Sequence, residues 1–169
     1  MIIAAHIPIV IQEDEAGLSS LMKWSQYAAV SDVDLIAKLQ TYPNLMAWIS
    51  GHRHQNTVIP IKSPDVDRPE LGFWQVETAS LREFPPQQFR IFEVVYNGDN
   101  TVSIFTTNVD PAVRDGSPAA QSRSYAIAAQ QIFQSPVEMK PSGAYNAELV
   151  LQLTPPEMQE ILQKTGRDL

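Results

Sequence analysis

Cysteine is absent from this 169-residue chain, which removes disulfides, thiolate metal sites and cysteine nucleophiles from consideration. Cationic side chains are few and scattered: twelve Lys and Arg stand against nineteen Asp and Glu, for a net charge of −7. No basic stripe exists to neutralise a phosphate backbone, so binding to a nucleic acid polymer is not expected. Long apolar runs are missing too. The one candidate, residues 1–11, contains His6 and Pro8, has no positive leader and is too short to cross a bilayer, so no membrane span is expected. No Gly-x-Ser-x-Gly elbow is present, which removes the usual support for a serine nucleophile. Histidine is scarce, with three copies in all.

What remains is the composition of a folded protein about one domain in size, 44% hydrophobic and 18% charged. Residues 1–11 are bulky and apolar on both faces, the pattern of a central strand covered on both sides. Ser31 and Asp34 form a capping box, followed by Val33, Ile36 and Leu39 at helical spacing, and that helix should stop near Pro43. A strand over residues 45–50 follows and delivers Gly51-His52-Arg53-His54 into a loop. Residues 57–61 and 73–80 read as further strands.

The clearest local signal is a hairpin: residues 89–96 and 101–107 flank Asn97-Gly98-Asp99-Asn100, a cluster that tolerates positive φ. Phe89, Ile91 and Val95 fall on one face of its first strand and Phe92, Val94 and Tyr96 on the other, which predicts cover on both sides. Beyond Asp110-Pro111, Ser117-Pro118 opens a helix whose stripe is Tyr125, Ala128, Ala129, Ile132 and Phe133. Thr154, Pro155 and Glu157 open another, with Met158, Ile161, Leu162 and Thr165 along one face and Gly166 at its end.

The three histidines are the candidate site. Taken alone, His6 reads as a core histidine bonded to a carbonyl, and His-x-His reads as coincidence. Together, each follows a strand in a strand–helix–strand order, and sites in open α/β sheets gather beyond the carboxyl ends of strands. Neutral imidazole is the commonest metal ligand, so His6, His52 and His54 are the candidate ligands. Gly51 is expected to supply the sharp turn that lets both loop histidines face one pocket.

The Gly-His-x-His element at 51–54, with an upstream strand carrying His6 ahead of Pro8, resembles the calcineurin-like metallophosphoesterases. Glu77-Thr78-Ala79-Ser80, Phe84-Pro85-Pro86 and the hairpin over 89–107 resemble the strand run that ends their domain. The tail, with Gly116-Ser117-Pro118-Ala119-Ala120 and Tyr145-Asn146-Ala147-Glu148-Leu149, resembles the C-terminal extension of some larger bacterial members.

The resemblance implies an α/β fold: residues 1–110 as the second half of an αββα sandwich, a mixed β-sheet with flanking helices, and residues 111–169 as a helical C-terminal extension. It implies a hydrolase acting on a phosphate ester, with two divalent ions about 3.5–4 Å apart that activate a hydroxide. His6 and His52 would share one ion and His54 would bind its neighbour. Such a site suits Mn, Zn or Fe better than Mg, and Arg53 would be a candidate phosphate contact.

The family's Asp-x-His, Gly-Asp and Gly-Asn-His motifs are not found in this sequence. The resemblance therefore implies the C-terminal portion of a phosphoesterase, whether a truncation, a late start or one half of a split protein. Such a chain is expected to be inactive alone, and to self-associate or to pair with an N-terminal half that completes the sheet. Two other readings stay open: a non-catalytic binding or assembly module with structural histidines, and a mononuclear three-histidine zinc enzyme.

Overall fold

The computed structural model describes residues 1–11, 24–26, 28–81, 86–132 and 146–165. Among these, the chain forms β1 (Ile2–Ala4), α1 (Asp32–Leu39), β2 (Ala47–Ser50), β3 (Thr57–Ile61) and β4 (Phe73–Glu77). It continues through β5 (Phe89–Tyr96), β6 (Thr101–Val109), α2 (Pro118–Ile132), β7 (Ala147–Gln152) and α3 (Pro155–Thr165). Among the described residues the fold is mixed α/β, with two sheets and three α-helices.

The first sheet has the order β1-β2-β4-β3, with β1, β2 and β4 parallel and β3 antiparallel to β4. Side-chain alternation divides its two faces. Trp48 and Phe73 pack toward α1, where Leu35, Ile36 and Leu39 join Ile9, Leu45 and Ile61 in one core. Ala47 and Val76 point the other way and meet Ile104 and Leu149 of the second, fully antiparallel sheet β5-β6-β7. Trp48 is 4% exposed and donates its indole N–H to the Ile7 carbonyl at 3.1 Å, so it is a principal anchor of the α1 layer. Truncating such a residue to alanine costs about 3–5 kcal/mol.

Local chemistry sets most element ends. Ser31 Oγ accepts from the Asp34 amide at 3.1 Å and starts α1. Ser117 Oγ does the same for Ala120 at the start of α2. At α3, Thr154 and Glu157 form a reciprocal capping box: the Thr154 amide donates to Glu157 Oε2 at 2.9 Å, and the Glu157 amide donates to Thr154 Oγ1 at 3.4 Å. The β5–β6 hairpin turns where expected, with Gly98 and Asn100 at positive φ.

Four expectations are corrected. First, among the described residues β1 is the edge strand of its sheet, only three residues long, with Ile2 exposed, and not a central strand. Second, the 111–169 stretch is not wholly helical, because β7 pairs with β6 from Thr106↔Ala147 to Thr101↔Gln152. Its alternation puts Leu149 in the core, and long-range pairing decides the matter over any local helical tendency.

Third, β5 is not covered on both sides: Phe89 and Ile91 on one face are exposed, and on the other Arg90 is buried while Val94 is exposed. Fourth, α2 does not bury the Tyr125 stripe: Tyr125 and Ile132 are exposed, and Ala126 is the buried residue. Ser122, one turn earlier, accepts a hydrogen bond from Gln87 Nε2 at 3.1 Å, so the face that docks is the small-residue one carrying Ser122 and Ala126. Phe84, Pro85, Phe133, Tyr145 and Gly166, and the side chains of Leu162 and Thr165, lie outside the described residues.

Candidate metal centre

Parallel pairing of β1 with β2 builds the first half of the site. The register Ala4↔Ile49, carried two residues further, sets His6 beside Gly51, and the Gly51 amide donates to the His6 carbonyl at 3.1 Å. His6 is exposed at the carboxyl end of its strand. The segment after it is tied down by Gln75, which is 0% exposed on β4. Gln75 Oε1 accepts from the amides of Ile9 at 2.8 Å and Val10 at 2.9 Å, while its Nε2 donates to the Val10 carbonyl at 2.5 Å. A buried amide side chain with three such bonds replaces a missing strand neighbour for the loop backbone.

The connection from β2 to β3 builds the second half. These strands are not neighbours, because β4 lies between them, so residues 51–56 must cross the end of β4. Within that crossing His52 has φ +76° and His54 has φ +58°. Left-handed backbone costs a non-glycine residue about 1–2 kcal/mol, and the remaining such case among the described residues is Asn100, a type that tolerates it. Two histidines held this way within three positions mark a local conformation maintained against its intrinsic preference, a pattern that clusters at functional sites.

The turn was expected to rest on Gly51, and it does not. A Cβ at Gly51 would meet the Thr78 carbonyl at 3.6 Å, an ordinary contact. The histidines themselves make the turn.

The two halves meet. His52 Nδ1 lies 3.1 Å from His6 Nε2, with the rings T-shaped at 78°. Partial burial, and next the charge of His6, push the His52 imidazole below the usual histidine value, with Glu77 pulling the other way. The neutral form, the one that binds metals, is thereby favoured. Two nitrogens each about 2.0–2.1 Å from one ion, at tetrahedral to octahedral angles, sit roughly 2.9–3.4 Å apart. The observed spacing fits a shared ion.

His54 does not join the pair. Among the described residues, no three His, Cys, Asp or Glu side chains are grouped closely enough to hold an ion. The described residues thus provide two fitting donors for one ion, not the three-nitrogen set of a mononuclear zinc enzyme.

Arg53, the candidate phosphate contact, is engaged elsewhere. Its Nε lies 3.0 and 3.1 Å from the two carboxylate oxygens of Glu77, its Nη2 also donates to Oε2, and its amide donates to Oε1 at 3.3 Å. Glu77 is completely buried and also accepts from Thr57 Oγ1 at 3.3 Å. A fork–carboxylate pair of this kind is a structural arrangement that a phosphate would have to displace. Glu77 is a site residue that no motif in the sequence singles out. Its signal was there: an acid closing the otherwise uncharged strand Phe73-Trp74-Gln75-Val76 has no reason to be buried without a cationic partner.

Compared with known protein families, curated proteins and solved structures, the chain shows no match.

Proposed function

We propose that this chain carries part of a metal-dependent phosphoesterase site of the calcineurin-like kind, a hydrolase acting on a phosphate mono- or diester. The observation that supports it most is the His6–His52 contact at 3.1 Å beyond the ends of adjacent parallel strands, with His54 two residues on in the same left-handed turn. His6 and His52 would hold one divalent ion, with His54 directed to a second; Mn, Zn or Fe suits these nitrogen donors. Bound divalent ions would supply Lewis-acid polarisation of the phosphate and an activated water for in-line displacement.

The chain's own residues do the rest. Gln75 and Trp48 fix the loop behind His6, and partial burial lowers the His52 pKa, which favours the neutral, ligating form. In this reading Arg53 serves the loop before it serves the substrate. Two imidazoles do not complete a coordination shell, so the remaining ligands, carboxylates among them, would come from outside the described residues or from a further polypeptide segment. The edge of β1 is where it would dock: its outer side is unpaired among the described residues and leads directly to His6. An added parallel strand there would end beside the histidines.

The test is hydrolysis of an aryl phosphodiester with Mn or Zn, comparing wild type with His54→Ala, each alone and as copurified from its native source. Metal-dependent turnover in the copurified wild type that disappears in the variant supports the reading. Equal turnover in both, or none in either copurified sample, overturns it.

A further inference from the structure

We infer that Glu77 is a positioning residue for the histidine turn: through Arg53 it holds His52 and His54 in the left-handed conformations that direct them toward metal. The inference deepens the function proposed above and rests on it for the word metal, but the mechanical claim stands on geometry of its own.

The topology puts Glu77 where such a grip is needed. Glu77 closes β4 and is paired on one side with Ser50, the last residue of β2, and on the other with Thr57, the first of β3. Residues 51–56 must therefore pass directly over it. Arg53 sits near the middle of that span, between the two left-handed histidines, and reaches back to the carboxylate with both side chain and backbone amide.

The rest of the span is pinned at its ends. Gly51 donates to the His6 carbonyl at 3.1 Å, and Asn56 Oδ1 accepts from the Ala79 amide at 3.0 Å. With both ends held and the centre drawn down onto β4, the residues on either side of Arg53 must reverse the chain direction. Those residues are the histidines. The Arg53 amide also donates to the Gly51 carbonyl at 3.0 Å, which closes the first tight bend around His52.

An ion pair with only a general stabilising role would be replaceable by apolar side chains without consequence for positions 52 and 54. A positioning pair would not. The same folded protein would then lose the turn and, with it, metal affinity, in the range of about 10–100-fold that partners behind metal ligands typically command.

The experiment uses the full chain and the double variant Arg53→Met/Glu77→Leu, which leaves no unpaired buried charge. If that variant does not fold, Arg53→Lys, which keeps the charge and loses the planar fork, takes its place. Two quantities are read: the strong intraresidue amide–Hα NOE that marks positive φ at residues 52 and 54, and the affinity for Co(II) followed by its visible absorption. The expected result is a cooperatively folded variant in which both NOEs weaken and Co(II) binds about 10–100-fold more weakly.

A folded variant that keeps both NOEs overturns the inference, whatever its metal affinity. So does one that loses the NOEs yet binds Co(II) as wild type does. Wild type that binds no Co(II) sinks the metal reading alone; loss of the NOEs in the variant then still supports the grip of Glu77 on the turn, and their retention still refutes it.

Discussion

His6 Nε2 and His52 Nδ1 face each other across 3.1 Å, although 46 residues separate them in the chain. The contact exists because β1 and β2 are parallel neighbours and end at the same level. Without metal, one ring must donate and the other accept, so at least one imidazole stays neutral. A divalent ion would take both lone pairs at once.

This arrangement makes the two histidines interdependent. His6→Ala and His52→Ala should each weaken Zn or Co(II) binding by about 100-fold or more, since even partners behind a ligand are worth about 10–100-fold. The double variant should be scarcely worse than either single, because one imidazole alone holds an ion poorly. Isothermal titration of the four proteins checks this. Additive losses would mean that the two rings bind separate ions.

The left-handed turn reverses an ordinary preference. At most positions alanine is more stabilising than glycine, because glycine loses more backbone freedom on folding. At position 54, with φ +58°, the order should invert. His54→Gly should be more stable than His54→Ala by about 1 kcal/mol. Gly51→Ala, by contrast, should change stability by less than about 1 kcal/mol, since its added Cβ has room. Urea denaturation midpoints of the three variants decide both points.

Arg90 predicts a gain from mutation. It lies on the inner side of β5, 8% exposed, with Nη1 3.3 Å from Thr106 Oγ1 and with Nε and Nη2 buried and unpartnered among the described residues. Burial pushes its pKa down to about 10, the sign of a charge held at a cost. Above about pH 10 the folded state binds fewer protons than the unfolded one, so this group lowers stability fully below that pH and less so as the pH rises beyond it. Arg90→Met keeps the length and removes the charge. It should raise stability by about 1–3 kcal/mol, by analogy with buried ionic groups replaced by apolar ones. A thermal melt at neutral pH shows it, and a lower Tm would mean that the guanidinium has a partner in solution.

Those residues also mark what a linear reading of the chain reaches. Ser31, Ser117, Thr154–Glu157 and the 97–100 hairpin act on neighbours within a few positions, so their roles are visible in the string of letters. The edge position of β1 depends on which strands assemble beside it, and no local pattern encodes that. The pairing of Arg53 with Glu77 joins residues 24 apart through a sheet register. The strand Ala147–Gln152 differs: its period-two alternation is local, but helix-capping signals on either side of it favour helix, and only pairing with β6 decides between them. At the site, residue types were legible and their division was not. Two histidines meet, the third completes no group of three with them among the described residues, and Arg53 turns inward to Glu77.

Gln75 offers the last test, because its amide holds the His6 loop without touching any candidate ligand. Replacing it by leucine would keep most of the volume of a completely buried side chain and strip three hydrogen bonds from the backbone of Ile9 and Val10. Each buried amide or carbonyl left without a partner costs about 1–3 kcal/mol, and partial relaxation of the loop toward water should reduce the sum. The expected loss is about 3 kcal/mol in a chemical denaturation experiment. Hydrogen exchange should localise the damage, with the amides of Ile9 and Val10 exchanging much faster while those of β5 and β6 change only as global stability does. Uniform acceleration across the chain would mean that Gln75 supports the whole sheet and not the loop that carries His6.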